Sequence, residues 1–80
     1  MKLPRDVSGA TLARGLAQFG YQITRQTGSH IRLTLDALPQ HHLTIPAHDT
    51  LKAGTLSAIL SLAAQRLGIS RQELLSKMKL

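Results

Sequence analysis

An imidazole and a guanidinium stand two residues apart in Gly28-Ser29-His30-Ile31-Arg32. Histidine exchanges a proton near neutral pH, and arginine grips phosphate through paired hydrogen bonds. Together they suit RNA strand scission, in which a base takes the 2′-hydroxyl proton, an acid protonates the leaving oxygen, and a cation offsets the charge growing on phosphorus. Such a reaction needs no metal, and no cofactor is expected. For the second proton-transfer group the sequence offers Lys52, His42 and Arg32 without choosing among them. The plainer reading of His30 is a polar residue tolerated on an exposed strand.

Alternation decides where these groups point. From Tyr21 the apolar period is two: Tyr21, Ile23 and Arg25 face one way, and Gln22, Thr24 and Gln26 the other. Thr27-Gly28-Ser29 supplies a turn, after which Ile31, Leu33 and Leu35 alternate with His30, Arg32 and Thr34, so the pair reads as a hairpin. Leu43 and Ile45 then alternate with His42 and Thr44 until Pro46 ends a third strand. If the apolar set is buried, His30, Arg32, Thr34, His42 and Thr44 share a wet face.

Helices flank these strands. Ser8 is placed to cap a helix over Gly9 to Phe19, with Leu12, Leu16 and Phe19 at helical spacing and Gly20 at its end. Thr55 is placed to cap a second, whose stripe of Leu56, Ile59, Leu60, Ala63 and Leu67 closes at Gly68. Ser70 and Glu73 have capping-box spacing, which predicts a short last helix over about 70–78, with Arg71, Lys77 and Lys79 as its solvated face. The predicted fold is α+β, in the order α-β-β-β-α with a short C-terminal helix, the three-stranded antiparallel sheet carrying its helices on one face.

At 80 residues the chain is read as one domain, residues 1–80, with a core over about 8–67. Ten Lys and Arg against four Asp and Glu leave a net charge of +6, which calls for a polyanion or an acidic protein as partner. With Phe19 and Tyr21 the only aromatic residues, reading bases by stacking on a row of rings is excluded. The absence of cysteine excludes disulfide scaffolds and thiolate zinc sites. No signal-peptide core or membrane-length apolar run is present, so a soluble, cytoplasmic protein that does not engage membranes is expected.

Other motifs carry less. His41 and His42 are adjacent on a strand and point to opposite faces, so no metal site is expected from them with His48. Nucleophile-elbow and phosphate-loop patterns are missing. Gly54-Thr55 opens a helix beside Lys52, where free amides could hold a phosphate, although an ordinary cap beside a solvated lysine accounts for the same residues.

Read together, Gly20-Tyr21, Arg25-Gln26-Thr27-Gly28-Ser29-His30, Thr44-Ile45-Pro46-Ala47-His48 and Leu51-Lys52-Ala53-Gly54-Thr55-Leu56-Ser57-Ala58-Ile59-Leu60 resemble the HicA toxin family of bacterial toxin–antitoxin pairs, over Ser8 to Leu67. The resemblance implies a small fold like that of a double-stranded RNA-binding domain, and a ribonuclease that cleaves mRNA when its HicB-type antitoxin is absent. It places the catalytic histidine at His30, with Gly28 and Ser29 shaping the turn that presents it. Arg25, Arg32 and Lys52 are the supporting, RNA-binding cations expected around that site. Where family members often carry a second histidine and then an aromatic residue, this chain has Ile31 and Leu33. Two other classes compete: a non-catalytic RNA-binding domain, and a basic protein-interaction module.

Overall fold

Ser8 opens the first helix as its side chain predicts. In the computed structural model, which describes residues 3–80, Ser8 Oγ accepts the amide of Thr11 at 3.0 Å. Met1 and Lys2, part of the lead-in, lie outside the described residues. Helix α1 spans Gly9–Ala17, two residues short of the predicted Phe19 limit. Gln18, Phe19 and Gly20 instead bond back three residues, to the carbonyls of Gly15, Leu16 and Ala17. Gly20 then adopts φ +101°, a left-handed conformation that turns the chain into the sheet.

Strands β1 (Tyr21–Gln26), β2 (His30–Leu35) and β3 (His41–Pro46) pair antiparallel in that order, followed by α2 (Ala53–Leu67) and α3 (Arg71–Met78). The α+β order and the antiparallel sheet are as the sequence predicts. The start of α2 is not: its N-cap is Lys52, with no side-chain cap, and Thr55 lies inside the first turn. The helix begins early because Leu51 is buried and its amide is tied to the Val7 carbonyl at 2.8 Å, which fixes the backbone just ahead of Ala53. The other end follows the pattern, with Gly68 left-handed at φ +71°.

Register assigns the faces. Residues directly opposite one another in a sheet project to the same side. One side therefore carries Ile23, Leu33 and Leu43, then Ile31 and Ile45, and the helices cover it. Leu12, Leu16, Leu33, Ile45, Leu60 and Leu74 have at most traces of exposed surface, so α1, α2, α3 and the sheet share one buried cluster. The N-terminus of α1 docks closely on the end of β3: a Cβ at Gly9 would collide with the Pro46 carbonyl oxygen, and the Gly9 amide bonds the His48 carbonyl at 3.0 Å.

Helix α3 is structural as well as solvated. Ser70 Oγ accepts the Glu73 amide at 3.0 Å, while the Glu73 carboxylate goes to Lys77 Nζ at 3.4 Å. Leu74 and Met78 are buried, the latter close against Gly15 of α1. Arg71, predicted to be solvated, lies across α2 and donates to Ser61 Oγ at 3.3 Å.

Candidate functional site

Thr27 organises the turn before His30. Its amide donates to the His30 carbonyl at 2.9 Å, and its hydroxyl accepts the His30 amide at 3.1 Å. The Ala47 amide donates to the Ser29 carbonyl at 2.9 Å, which clamps the turn to the end of β3. His30 is thus held by its backbone from both sides while its side chain is exposed. Its ring has one protein partner: Ser29 Oγ lies 2.9 Å from Nδ1. A hydroxyl on Nδ1 orients the ring and leaves Nε2 without a hydrogen-bond partner among the described residues.

Arg32 follows two positions on, on the same open side and exposed. Arg25 joins it through an irregularity. The β1–β2 register shifts between Ile23 and Arg25, with Thr24 as the extra residue, and Arg25 comes to face Arg32. Strict alternation had put Arg25 with Tyr21 and Ile23 on the covered side. The bulge reverses that assignment, and it also sends Gln26 opposite Ile31. Two guanidinium groups directly across from each other repel. The strands that carry them contain no Asp or Glu to compensate.

Farther along the same face a hydroxyl–imidazole chain crosses all three strands. Thr24 Oγ1 lies 2.8 Å from Thr34 Oγ1, which lies 3.0 Å from His42 Nδ1. Thr34 sits on the open side as predicted, but its neighbours cover it to 8 % exposure. His42 faces Thr34, four residues from His30, hence about 13 Å along the strand. That separation sets His42 apart from the His30–Arg32 end of the face.

Of the predicted site residues, the structure brings together His30, Ser29, Arg32 and Arg25 on one end of the open face. Gly28 lies in the turn beside them, and a Cβ built there meets no other atom of the protein. Lys52 is exposed at the N-cap of α2, and none of the described hydrogen bonds or ion pairs ties its side chain to the strands. Sequence reading missed Thr27 as the clasp of the turn, although a threonine hydroxyl two residues before a loop amide is a recognisable turn signal. It also missed the role of Tyr21, whose hydroxyl lies 2.7 Å from His41 Nδ1.

Here the two adjacent histidines part as predicted, His42 to the open face and His41 inward against Tyr21. Burial raises the Tyr21 pKa, partly opposed by the Arg66 charge. Burial also lowers that of His41, with repulsion from Arg66 and His42 acting the same way. Burial thus favours the phenol form of Tyr21 and the neutral form of His41, and the Tyr21 hydroxyl and His41 Nδ1 share one hydrogen bond. A concavity of about 710 Å³ between the lead-in and α3 is lined by Leu3, Pro4, Leu75 and Leu80 among others, and it includes none of the open-face residues.

A small α+β protein with an exposed, basic, histidine-bearing sheet face is the class these features define. The family model described as the HicA toxin of bacterial toxin–antitoxin matches residues 9–67, most of the chain. The chain belongs to the HicA toxin family, and is thus the toxin of a toxin–antitoxin pair with an antitoxin as partner. Neither the curated proteins nor the solved structures gave a match. The matched segment ends with α2, and α3, which buries Leu74 and Met78 in the same core, follows it. Among the described residues, no helix is long and apolar enough to cross a membrane.

Proposed function

We propose that the open sheet face binds and cuts RNA, and that the protein is a metal-independent endoribonuclease acting on mRNA with His30 as its acid/base. The observation that carries this reading is the Arg25–Arg32 pair. Two facing cations with no carboxylate on their strands cost stability unless an anion lies over them, and they stand beside an exposed imidazole with a free Nε2.

The chemistry follows from those positions. Nε2 of His30 takes the proton of a ribose 2′-hydroxyl, whose oxygen attacks the adjacent phosphorus. The bond to the 5′-oxygen breaks, that oxygen takes a proton from water, and a 2′,3′-cyclic phosphate remains. Arg32, one side-chain row from His30, and Arg25 across from it offset the charge that accumulates on the phosphoryl oxygens. A guanidinium does not release its proton in this range, so Arg32 acts as a charge and not as the second acid. Ser29 is a positioning residue that holds Nδ1. Gly28 leaves room for the nucleotide, because what its missing Cβ spares is space outside the protein. Lys52 extends the positive field, and a HicB-type antitoxin silences the toxin by covering this face.

The test compares purified wild type with His30→Ala on a defined transcript, in chelator. Loss of cleavage with retained thermal stability and RNA binding is expected. Equal cleavage by the two proteins would remove the proposal. Salt-sensitive RNA binding without cleavage by wild type would leave the non-catalytic RNA-binding reading in its place.

A further inference from the structure

At the far end of β3 from the His30 clamp, α2 and the β2–β3 loop enclose a second basic site. A recess of about 320 Å³ is lined by His41, Leu62, Gln65 and Arg66. Arg66 donates through Nη2 to the Pro39 carbonyl at 2.9 Å, its Nε is buried without an acceptor among the described residues, and its remaining terminal N–H groups are the ones left for a ligand. His41 Nδ1 is taken by the Tyr21 hydroxyl, which leaves Nε2 as the ring nitrogen for a ligand, a donor in the tautomer in which Nδ1 accepts. Gln65 adds an amide. No acidic side chain lines the recess.

The surroundings are apolar. Leu38, beside the carbonyl that Arg66 holds, is 98 % exposed, and Leu62 on the recess wall is 51 % exposed. A phosphate would satisfy the donors but would leave both leucines in water. A carboxylate carried on a peptide with aliphatic neighbours satisfies both requirements.

The geometry points to a protein-docking site, separate from the cleavage face, in which Arg66, His41 and Gln65 take a partner's Asp or Glu carboxylate while Leu38 and Leu62 take the aliphatic residues beside it. His41 stands across from Leu35, five residues from the Pro46 that faces His30, which separates the two sites by about 16 Å along the strand. A partner seated here does not need to touch the proposed catalytic imidazole. The inference does not depend on whether the chain cuts RNA.

Isotope-labelled full-length protein titrated with acetyl-Leu-Glu-Leu-amide tests it by amide chemical shifts. Saturable shifts confined to Leu38, His41, Leu62, Gln65 and Arg66 are expected. Affinity should fall by about tenfold or more for the Gln peptide and for Arg66→Gln, the loss expected for one charge-assisted contact. Leu62→Ser, an exposed position that leaves the fold unchanged, should weaken binding several-fold. Equal binding of the Glu and Gln peptides, or no shifts at these residues, would overturn the proposal. So would inorganic phosphate, or a tetranucleotide lacking 2′-hydroxyls, moving the same residues at lower concentration than the Glu peptide, which would mark the recess as part of a nucleic-acid track.

Discussion

His30 and His41 each begin a strand of the same sheet, and their fates diverge because of what stands beside them. His30 faces Pro46 on the open side, has a flexible hydroxyl on Nδ1, and keeps its other nitrogen in water. His41 is opposite Leu35 on the covered side, against a tyrosine that is 1 % exposed as a residue. The first imidazole is exposed with one ring nitrogen unpartnered among the described residues, and the second fills a hydrogen bond to a buried tyrosine. Parity on a strand, more than residue type, separates an exposed histidine from a structural one.

Exchanging the two roles by mutation is the sharpest way to break this comparison. His30→Ala should reduce RNA cleavage by about 10²–10⁴-fold, the usual contribution of a general acid or base, and leave the unfolding free energy within about 0.5 kcal/mol. His41→Ala should do the reverse. It strands the buried Tyr21 hydroxyl, costing about 1–3 kcal/mol in a denaturant titration, while cleavage by the folded fraction persists. Comparable losses of cleavage in both variants would show that the two histidines are not functionally distinct.

The Arg25–Arg32 pair should respond in a third way. Arg25→Gln relieves a like-charge contact, so thermal stability should hold or rise slightly, while RNA binding weakens and its logarithmic salt slope falls by about 1. A drop in stability with an unchanged salt slope would count against a phosphate seat at this pair.

Titration probes His41 and its tyrosine partner. The folded pKa of His41 is depressed below the ordinary 6.5, so the unfolded chain binds its proton first. The stability tied to this residue is complete above about pH 6.5 and is lost as pH falls through the folded value. Melting followed from pH 7.5 to 5 should show a steeper decline for wild type than for His41→Gln. Tyr21 acts at the other extreme: its pKa is raised above 10.0, so its contribution is complete below that pH and fades as the pH climbs through the folded value. The smallest effect on the fold is expected at Gly28. With open space around its built Cβ, Gly28→Ala should leave stability within about 0.5 kcal/mol while lowering cleavage, which measures whether the vacant space serves a nucleotide.

Much of this was readable from spacing. Leu33 and Ile45 had to be buried, so His30 and Thr44 had to face away, and Ser8, Ser70 and Gly68 marked helix ends through local hydrogen bonding and backbone freedom. Thr55 misled because a good capping side chain lost to a distant backbone tie, that of Leu51 to Val7, in setting where α2 begins. Arg25 misled because a bulge adds a residue to one strand only, and its energy lies in pairing with a partner that the single strand does not contain.

The sequence by itself determined the order of elements, the basic character of the chain and the side of β2 on which His30 lies, because period and capping are properties of neighbours a few residues apart. The tertiary structure alone decided that Arg25 meets Arg32, that Tyr21 claims His41 and that Arg66 reaches the Pro39 carbonyl. Those contacts join residues from separate elements, and which donor finds which acceptor is settled only when the sheet register and the helix packing are both in place.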